Sequence, residues 1–339
     1  MRIGFVYDLR DDYLAQGFSE EAVAEFDTRD TIAKISAALE RIGAQVERIG
    51  HGRALAARLV EGARWDLVFS IAEGVSGRSR EAQVPALCEL FGQPYAFSDP
   101  LTCAATLDKA VAKRIVRDAG IPTAPFAVLH NAREAGDVAM PYPLFVKPLA
   151  EGTGKGCEAA SRVHDAASLE KFARKLIRKF EQPVIVESYL PGREFTVGIV
   201  GNGTKAQVIG VVEIIVKPNG KDDVYSFANK ENCETRVIYQ LAKDGEARAA
   251  GVAALAAYRS LECRDAARLD FRSDERGQPH FLEANPLAGL HPEHSDLPIS
   301  ARLAGKTYDW LMGEIVHAAM NRYGKGAPTG SGKSLASAA

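Results

Sequence analysis

Apolar residues recur along this chain with two different periods, and the way the periods alternate sets out an architecture. Residues 3–7 form a short β-rich run. After a polar interval, the segment 28–43 places Ile32, Ile35, Leu39 and Ile42 on one helical face. A second strand-like run covers 66–71, and 81–91 predicts a helix despite Pro85. Strands alternating with helices predict a parallel α/β layer. The pattern breaks at 98–100, and 107–119 predicts a helix stopped by Gly120 and Pro122. Beyond it come a strand at 144–148, a glycine loop, a helix at 166–180 and a strand at 184–188. Two longer strands, 194–200 and 207–216, flank Gly201-Asn202-Gly203, a hairpin signal. The polar stretch 217–236 predicts a mobile loop. A helix carrying Val252, Leu255, Ala256 and Leu261 follows. Strands at 267–271 and 280–283 then flank a turn at 273–278, and the small polar residues at the end predict a disordered tail.

Composition narrows the function. A chain of 339 residues with 46% hydrophobic residues predicts two or three packed subdomains. With 42 Lys+Arg against 44 Asp+Glu, the net charge of -2 gives no electrostatic footprint for nucleic acid or an anionic membrane. The five cysteines, Cys88, Cys103, Cys157, Cys233 and Cys263, form no CxxC pair and read as reduced thiols. The opening MRIGFVYDLRDD lacks the length of a signal peptide or membrane span, so a cytoplasmic location is expected.

Two glycine-lysine clusters are candidate phosphate cradles. The tail sequence Gly330-Ser331-Gly332-Lys333-Ser334 resembles the end of a P-loop, but Ala327 stands where its first glycine belongs and no strand precedes it. The loop after Lys147 is fed by a β-rich run, and Gly152, Thr153, Gly154, Gly156 and Cys157 let backbone N–H groups approach an anion. Such a loop is also an ordinary hairpin turn, so its partners decide. Downstream, period-two geometry puts Arg268 with Asp270, and Glu283 with Asn285, on common strand faces. Two carboxylates and an amide oxygen are hard ligands suited to Mg²⁺.

At these residues the chain resembles the ATP-grasp ligases, and within them the D-alanine:D-alanine ligases, from about residue 3 to 318. The specific pieces are VKPLAEGTGKG (146–156), ESYLPGREFTVGIVG (187–201), ARLDF (267–271) and LEANPLAGL (282–290), with weaker support from LDK (107–109) and SIAEGVSGRSREAQVPALCE (70–89). The resemblance implies an α/β chain with the ATP-grasp fold. Its parts are an N-terminal parallel α/β domain (1–100), a small central α+β subdomain with the glycine loop (101–191), a C-terminal α+β subdomain with the metal site (192–322) and a disordered tail (323–339). It implies ATP contacts from Lys109, Lys147, Glu151, Gly152, Thr153, Gly154 and Gly156, and an adenine site along Glu187, Ser188, Tyr189 and Leu190. Glu194 would hold the ribose and Lys230 would close over the phosphates. Asp270, Glu283 and Asn285 would hold two Mg²⁺ or Mn²⁺ ions. Arg268 would stabilise the transferred phosphoryl group and the following oxyanion, beside the backbone at Gly289. An acyl phosphate forms and an amine displaces its phosphate. The family's frequent dimers imply a homodimer acting on small amino acids.

The substrate end departs from the family pattern. Glu21 stands for the acid that holds the first ammonium. Arg78 and Arg80 replace acids or small residues and could meet a carboxylate. Glu231 replaces a tyrosine beside Lys230. Ser295, which would bind the second substrate's carboxylate, lies one residue late, and His291 and His294 are additions. D-alanine as both substrates is the default. The alternatives are a ligase for other carboxylate and amine substrates, or a nucleotide-binding relative without catalysis. A Rossmann dehydrogenase lacks the G-x-G-x-x-G after the first strand.

Overall fold

In the computed structural model the chain is described over residues 1–217 and 236–324. Residues 218–235 of the expected mobile loop over 217–236, Lys230 among them, and the tail beyond 324 lie outside the described residues. Among these, the strands form three sheets. The first is parallel, in the order β2-β1-β3: β1 (Arg2–Val6), β2 (Gln45–Gly50) and β3 (Leu67–Ser70). Its helices are α1 (Arg10–Ala15), α2 (Arg29–Arg41), α3 (Gly52–Val60) and α4 (Gln83–Leu90). Helix α2 begins where Thr28 accepts a hydrogen bond from the Thr31 N–H, and it buries Ile32, Ile35 and Leu39. The hydrophobic pattern passed over β2 and α3. β2 is an edge strand carrying Glu47 and Arg48, which hides its alternation.

The helix expected at 107–119 forms at 109–118, and the hydrophobic pattern passed over a second helix just before it. α5 (Pro100–Leu107) stops at Asp108, whose extended backbone and side chain then cap α6 (Lys109–Asp118) through the N–H groups of Ala110 and Val111. The break sets Lys109 at the start of a new helix, with its own N–H donating to the Leu149 carbonyl.

The second sheet, β4-β7-β5-β6, is antiparallel: β4 (Phe126–Leu129), β5 (Leu144–Pro148), β6 (Arg162–Val163) and β7 (Val184–Ser188). α7 (Ala166–Phe180) lays Leu169, Phe172, Ala173 and Leu176 on it. The third sheet runs β10-β9-β8-β11-β12, from β8 (Glu194–Val200), β9 (Gln207–Val216), β10 (Val237–Leu241), β11 (Ala266–Ser273) and β12 (Pro279–Asn285). The hairpin read at Gly-Asn-Gly is β8–β9. α8 (Gly245–Ser260) covers one face with alanines, close enough that a Cβ on Gly251 would sit 3.2 Å from Val211.

Cores cross the expected subdomain limits. Ala112 and Val116 of α6 pack with Phe281 and Tyr258 of the C-terminal unit. α9 (Asp296–Leu303) and α10 (Tyr308–Arg322) carry Leu297, Leu311, Met312 and Ile315 into one cluster with Ile3, Phe5 and Ile35. Asp265 pins this junction. Fully buried, it accepts hydrogen bonds from Phe97 N (2.8 Å), Asn202 Nδ2 (2.8 Å) and Arg322 Nη2 (2.7 Å). Asp265→Asn keeps a residue tolerant of the left-handed backbone there, yet leaves Arg322 without its counter-ion. A loss of about 3–5 kcal/mol is expected, read as a lower urea midpoint at unchanged slope. Among the described residues no helix is long and apolar enough to cross a membrane.

Candidate functional site

The second and third sheets face one another across a cleft. Lys109, Lys147, Glu151, Gly154, Glu187, Ser188, Tyr189, Leu190, Glu194, Asp270 and Glu283 all line it. One wall is the end of β7, where Tyr189 lies under two guanidiniums, Arg162 at 5.2 Å and Arg272 at 5.5 Å from its ring centroid. Glu194 pairs with Arg272 at 3.2 Å. The floor is the glycine loop, in which Thr153, Gly154 and Gly156 take positive φ. A Cβ on Gly156 would lie 2.7 Å from Pro148, so only glycine lets the loop fold back on β5.

Glu187 is the electrostatic centre of the cleft. Its carboxylate lies 2.6 Å from Lys113 Nζ and 2.8 Å from Lys147 Nζ, and all three groups are buried. Burial by itself raises the Glu187 carboxyl, but the two ammonium groups outweigh it and hold the pKa at about 2. Burial lowers Lys113 to about 8, against the pull of Glu187. Lys147 is also opposed by burial, yet Glu187 raises it above its ordinary value. The sequence reading did not pick out Lys113. Its signal was present, because it lies one helical turn after Lys109 and so on the same face of α6.

Asp270 and Glu283 stand directly opposite one another on β11 and β12, as do Arg268 and Asn285. Asp270 Oδ1 accepts from Thr196 Oγ1 at 2.8 Å, and its Oδ2 accepts from Arg268 at 3.0 Å. Glu283 meets Lys109 Nζ at 3.2 Å and Arg268 at 3.6 Å. Like charges facing across a ladder repel unless a cation stands between them. Here Lys109 and Arg268 supply the positive charge. Asn285 Nδ2 is buried with no hydrogen-bond partner. Two carboxylates and an amide oxygen at one strand end could hold a hard divalent cation.

Lys109, Glu151 and Glu283 also line a second, larger cavity, which therefore opens directly from the end of the first. Its walls include Gly152, Thr153, Arg268, Gly289, His291, Ser295 and Asp296. Ser295 Oγ accepts from the His291 N–H at 2.9 Å, and a Cβ on Gly289 would meet that oxygen at 2.8 Å. Arg268 extends to Asp296 at 3.0 Å. His291 Nε2 lies 2.9 Å from Asp30, and burial keeps its pKa below the usual value.

The structure does not bring Glu21 into this cavity. Glu21 pairs with Lys179 at 2.6 Å and lines a neighbouring hollow together with Arg78. The acid at the glycine loop is instead Glu25, which accepts from Gly152 N at 2.6 Å and pairs with Arg80 at 2.9 Å and Lys155 at 3.3 Å. Arg80 is thereby committed, and Arg78 binds Asp108 at 2.6 Å. Acids spaced along a non-periodic loop look equivalent in sequence, so the choice between Glu21 and Glu25 had no local signal.

Residues 115–317 match the family described as the D-ala D-ala ligase C-terminus. The D-alanine–D-alanine ligase of Bordetella petrii is 33% identical over 258 residues, covering 75% of this chain and 76% of that protein. The uncharacterized protein y4sG of Sinorhizobium fredii is 33% identical over 267 residues, covering 76% and 75%. The crystal structure of the Bacillus anthracis D-alanine–D-alanine ligase complexed with ATP superposes with a TM-score of 0.71 at 24% identity, covering 95% of this chain and 98% of that one.

Proposed function

The chain belongs to the D-alanine–D-alanine ligase family, and we propose that it is an ATP-dependent ligase joining two amino acids into a dipeptide of the D-alanyl-D-alanine type, as in cell-wall precursor synthesis. The observation that carries this reading is the continuity of the two cavities through Lys109, Glu151 and Glu283. A nucleotide in the first cleft presents its terminal phosphate to whatever occupies the second.

In this reading Tyr189 and Leu190 enclose the adenine, Glu194 meets the ribose, and Lys109 and Lys147 meet the phosphates with the N–H groups of residues 152–156. Asp270, Glu283 and Asn285 hold Mg²⁺ or Mn²⁺, which would neutralise phosphate charge and orient the terminal phosphoryl group. A carboxylate oxygen of the first amino acid attacks the γ-phosphorus, giving an acyl phosphate and ADP. The neutral amine of the second attacks the acyl carbon. Inorganic phosphate then leaves with the bonding pair of its C–O bond, and the amine gives up a proton. Arg268 faces the charge that develops in both steps, with the backbone at Gly289 placed for the oxyanion. Ser295 orients the second carboxylate. The cavities do most of their work by positioning. A homodimer and a cytosolic location belong to the same reading.

Incubation with ATP, Mg²⁺ and D-alanine is expected to release phosphate and yield a dipeptide in equal amounts, followed by coupled assay and mass spectrometry. A thermal shift with ATP but no peptide from any pair of D- or L-amino acids would defeat the proposal and favour a nucleotide-binding relative without catalysis.

A further inference from the structure

Strand β11 carries charged side chains at alternate positions along the cleft. Opposite β8, Arg268 stands against Gly198, Asp270 against Thr196 and Arg272 against Glu194, and the pleat puts all three on one face. The first two belong to the proposed phosphate and metal end. Arg272 stands at the other end, lining the cleft with Tyr189, Leu190 and Glu194, where the ligation steps give it no part.

Arg272 ties together the two walls of the cleft. Its Nη1 donates to Glu194 Oε2 at 3.2 Å, and its guanidinium carbon lies 5.5 Å from the Tyr189 ring centroid, inside the range of about 6 Å over which a cation is drawn to an aromatic face. Tyr189 follows β7 of the second sheet and Glu194 begins β8 of the third, so this side chain spans the segment that joins the two. That segment is itself pinned to the end of β11. Gly192 N donates to the Ser273 carbonyl and Ser273 N to the Arg193 carbonyl, both at 2.9 Å. A Cβ on Gly192 would lie 2.7 Å from the Ser273 oxygen, so glycine permits the approach.

Among the described residues, the cations lining this cleft are Lys109, Lys147, Lys155 and Arg272. The three lysines pair with Glu283, Glu187 and Glu25, at or near the glycine loop and the proposed metal position. Arg272 therefore supplies the positive charge at the opposite end. Arg193, which precedes Glu194, does not line the cleft and is held instead by Glu213, Asp244 and Glu246. The side chains of Arg272 and Glu194 are only 19% and 17% exposed, which separates them from the open surface pairs that contribute little. A glutamate that meets a ribose gives up rotamer freedom on binding, and a guanidinium that already holds it lowers that cost. Tyr189 is fixed as well, since Arg162 Nη1 donates to its hydroxyl at 3.3 Å.

We infer, resting on the nucleotide half of the ligase reading, that Arg272 is a positioning residue that makes the cleft selective for a nucleotide with an intact ribose. It acts through Glu194, whose carboxylate it orients to accept from the sugar hydroxyls, and it holds Tyr189 as the wall against the base. A ribose lacking the hydroxyl that Glu194 accepts leaves that carboxylate without its sugar partner, which is the source of the discrimination.

The test is calorimetry on the full chain with Mg²⁺ and ADP, 2′-deoxy-ADP or 3′-deoxy-ADP, none of which is turned over. The wild type is expected to bind ADP about tenfold or more tighter than at least one deoxy analogue, a tenfold step being about 1.4 kcal/mol. Arg272→Met is expected to bring that ratio to within about twofold, and Glu194→Gln to do the same. The double variant should lose no more discrimination than either single one, because the arginine acts through the glutamate. Arg272→Lys, the milder change, keeps a charge for Glu194 but no flat face for Tyr189. It is expected to weaken ADP while retaining more of the discrimination than Arg272→Met. In turnover the KM for ATP should rise by a larger factor than kcat falls, a split that a merely structural role does not produce. A wild type that binds all three nucleotides alike, or an Arg272→Met variant that keeps the full ratio, would overturn the inference and leave the ligase reading standing. Discrimination present in the wild type and lost in the variants, with no dipeptide from any amino acids, would instead overturn the ligase reading and keep the role of Arg272. A wild type that binds none of the three nucleotides would overturn both.

Discussion

The Glu283→Gln variant is expected to lose about 10³-fold in kcat, within the range seen when a charge-stabilising group is taken from a phosphoryl or acyl transfer site. Glu283 stands opposite Asp270 across the β11–β12 ladder and touches Lys109 at 3.2 Å, so it couples the proposed metal position to the proposed phosphate lysine. Glutamine preserves the packing but removes the anion, and the Mg²⁺ concentration for half-maximal activity should rise together with the fall in kcat. The unliganded protein should melt near its normal temperature, since the substitution also removes repulsion from Asp270. Phosphate release measured across a Mg²⁺ titration checks both effects. A variant within tenfold of the wild type would remove the metal assignment.

Lys113→Met is expected to cost as much stability as Asp265→Asn and to change the cleft as well. Lys113 is wholly buried, bonds the Phe281 carbonyl at 2.8 Å and Thr123 Oγ1 at 2.9 Å, and shares Glu187 with Lys147. Removing it leaves a buried carboxylate with half its compensation, and breaking such a pair typically costs about 3–5 kcal/mol. A pH signature accompanies the loss. Glu187, held at about 2 in the folded chain, lies below an ordinary glutamate at about 4.3. Its contribution is therefore complete above about pH 5 and disappears as the pH falls towards 2. Without Lys113 the Glu187 carboxyl rises, so acid unfolding should begin at a higher pH than in the wild type. Urea denaturation at pH 7 and at pH 4 measures both. Nucleotide affinity should change too, because Lys147 then becomes the sole ammonium on Glu187. An unfolding midpoint unchanged at either pH would contradict this account.

The parts of the site that were legible in the sequence lie close together along the chain or repeat with a regular period. Arg268 and Asp270, or Glu283 and Asn285, are two residues apart on a strand, and the pleat alone puts each pair on one face. The glycine loop follows directly on its strand. Helices α2 and α7 appeared with nearly their full extents, because each carries a one-sided apolar stripe and a Thr or Asp cap. Helix α5 was passed over, since the pattern breaks at 98–100, and Asp108, which ends it, acts through a side chain that caps α6. Strand β10 and helices α9 and α10 were also missed. α9 and α10 are apolar over much of their surface because the first and third sheets bury them from two sides, which erases the one-sided stripe.

By itself, then, the sequence determined the glycine loop after its strand, the placing of Arg268 with Asp270 and of Glu283 with Asn285, and the alternation of strand and helix, all of which follow from short-range geometry. Only the tertiary structure decided which acids line the second cavity. Glu25, Asp27, Glu73 and Glu81 lie in irregular segments with no period to mark a face, and Glu21 looks just as eligible. Their meeting in one cavity is set by how β1, β3 and α2 pack against one another. The same packing decides that Arg80 is spent on Glu25.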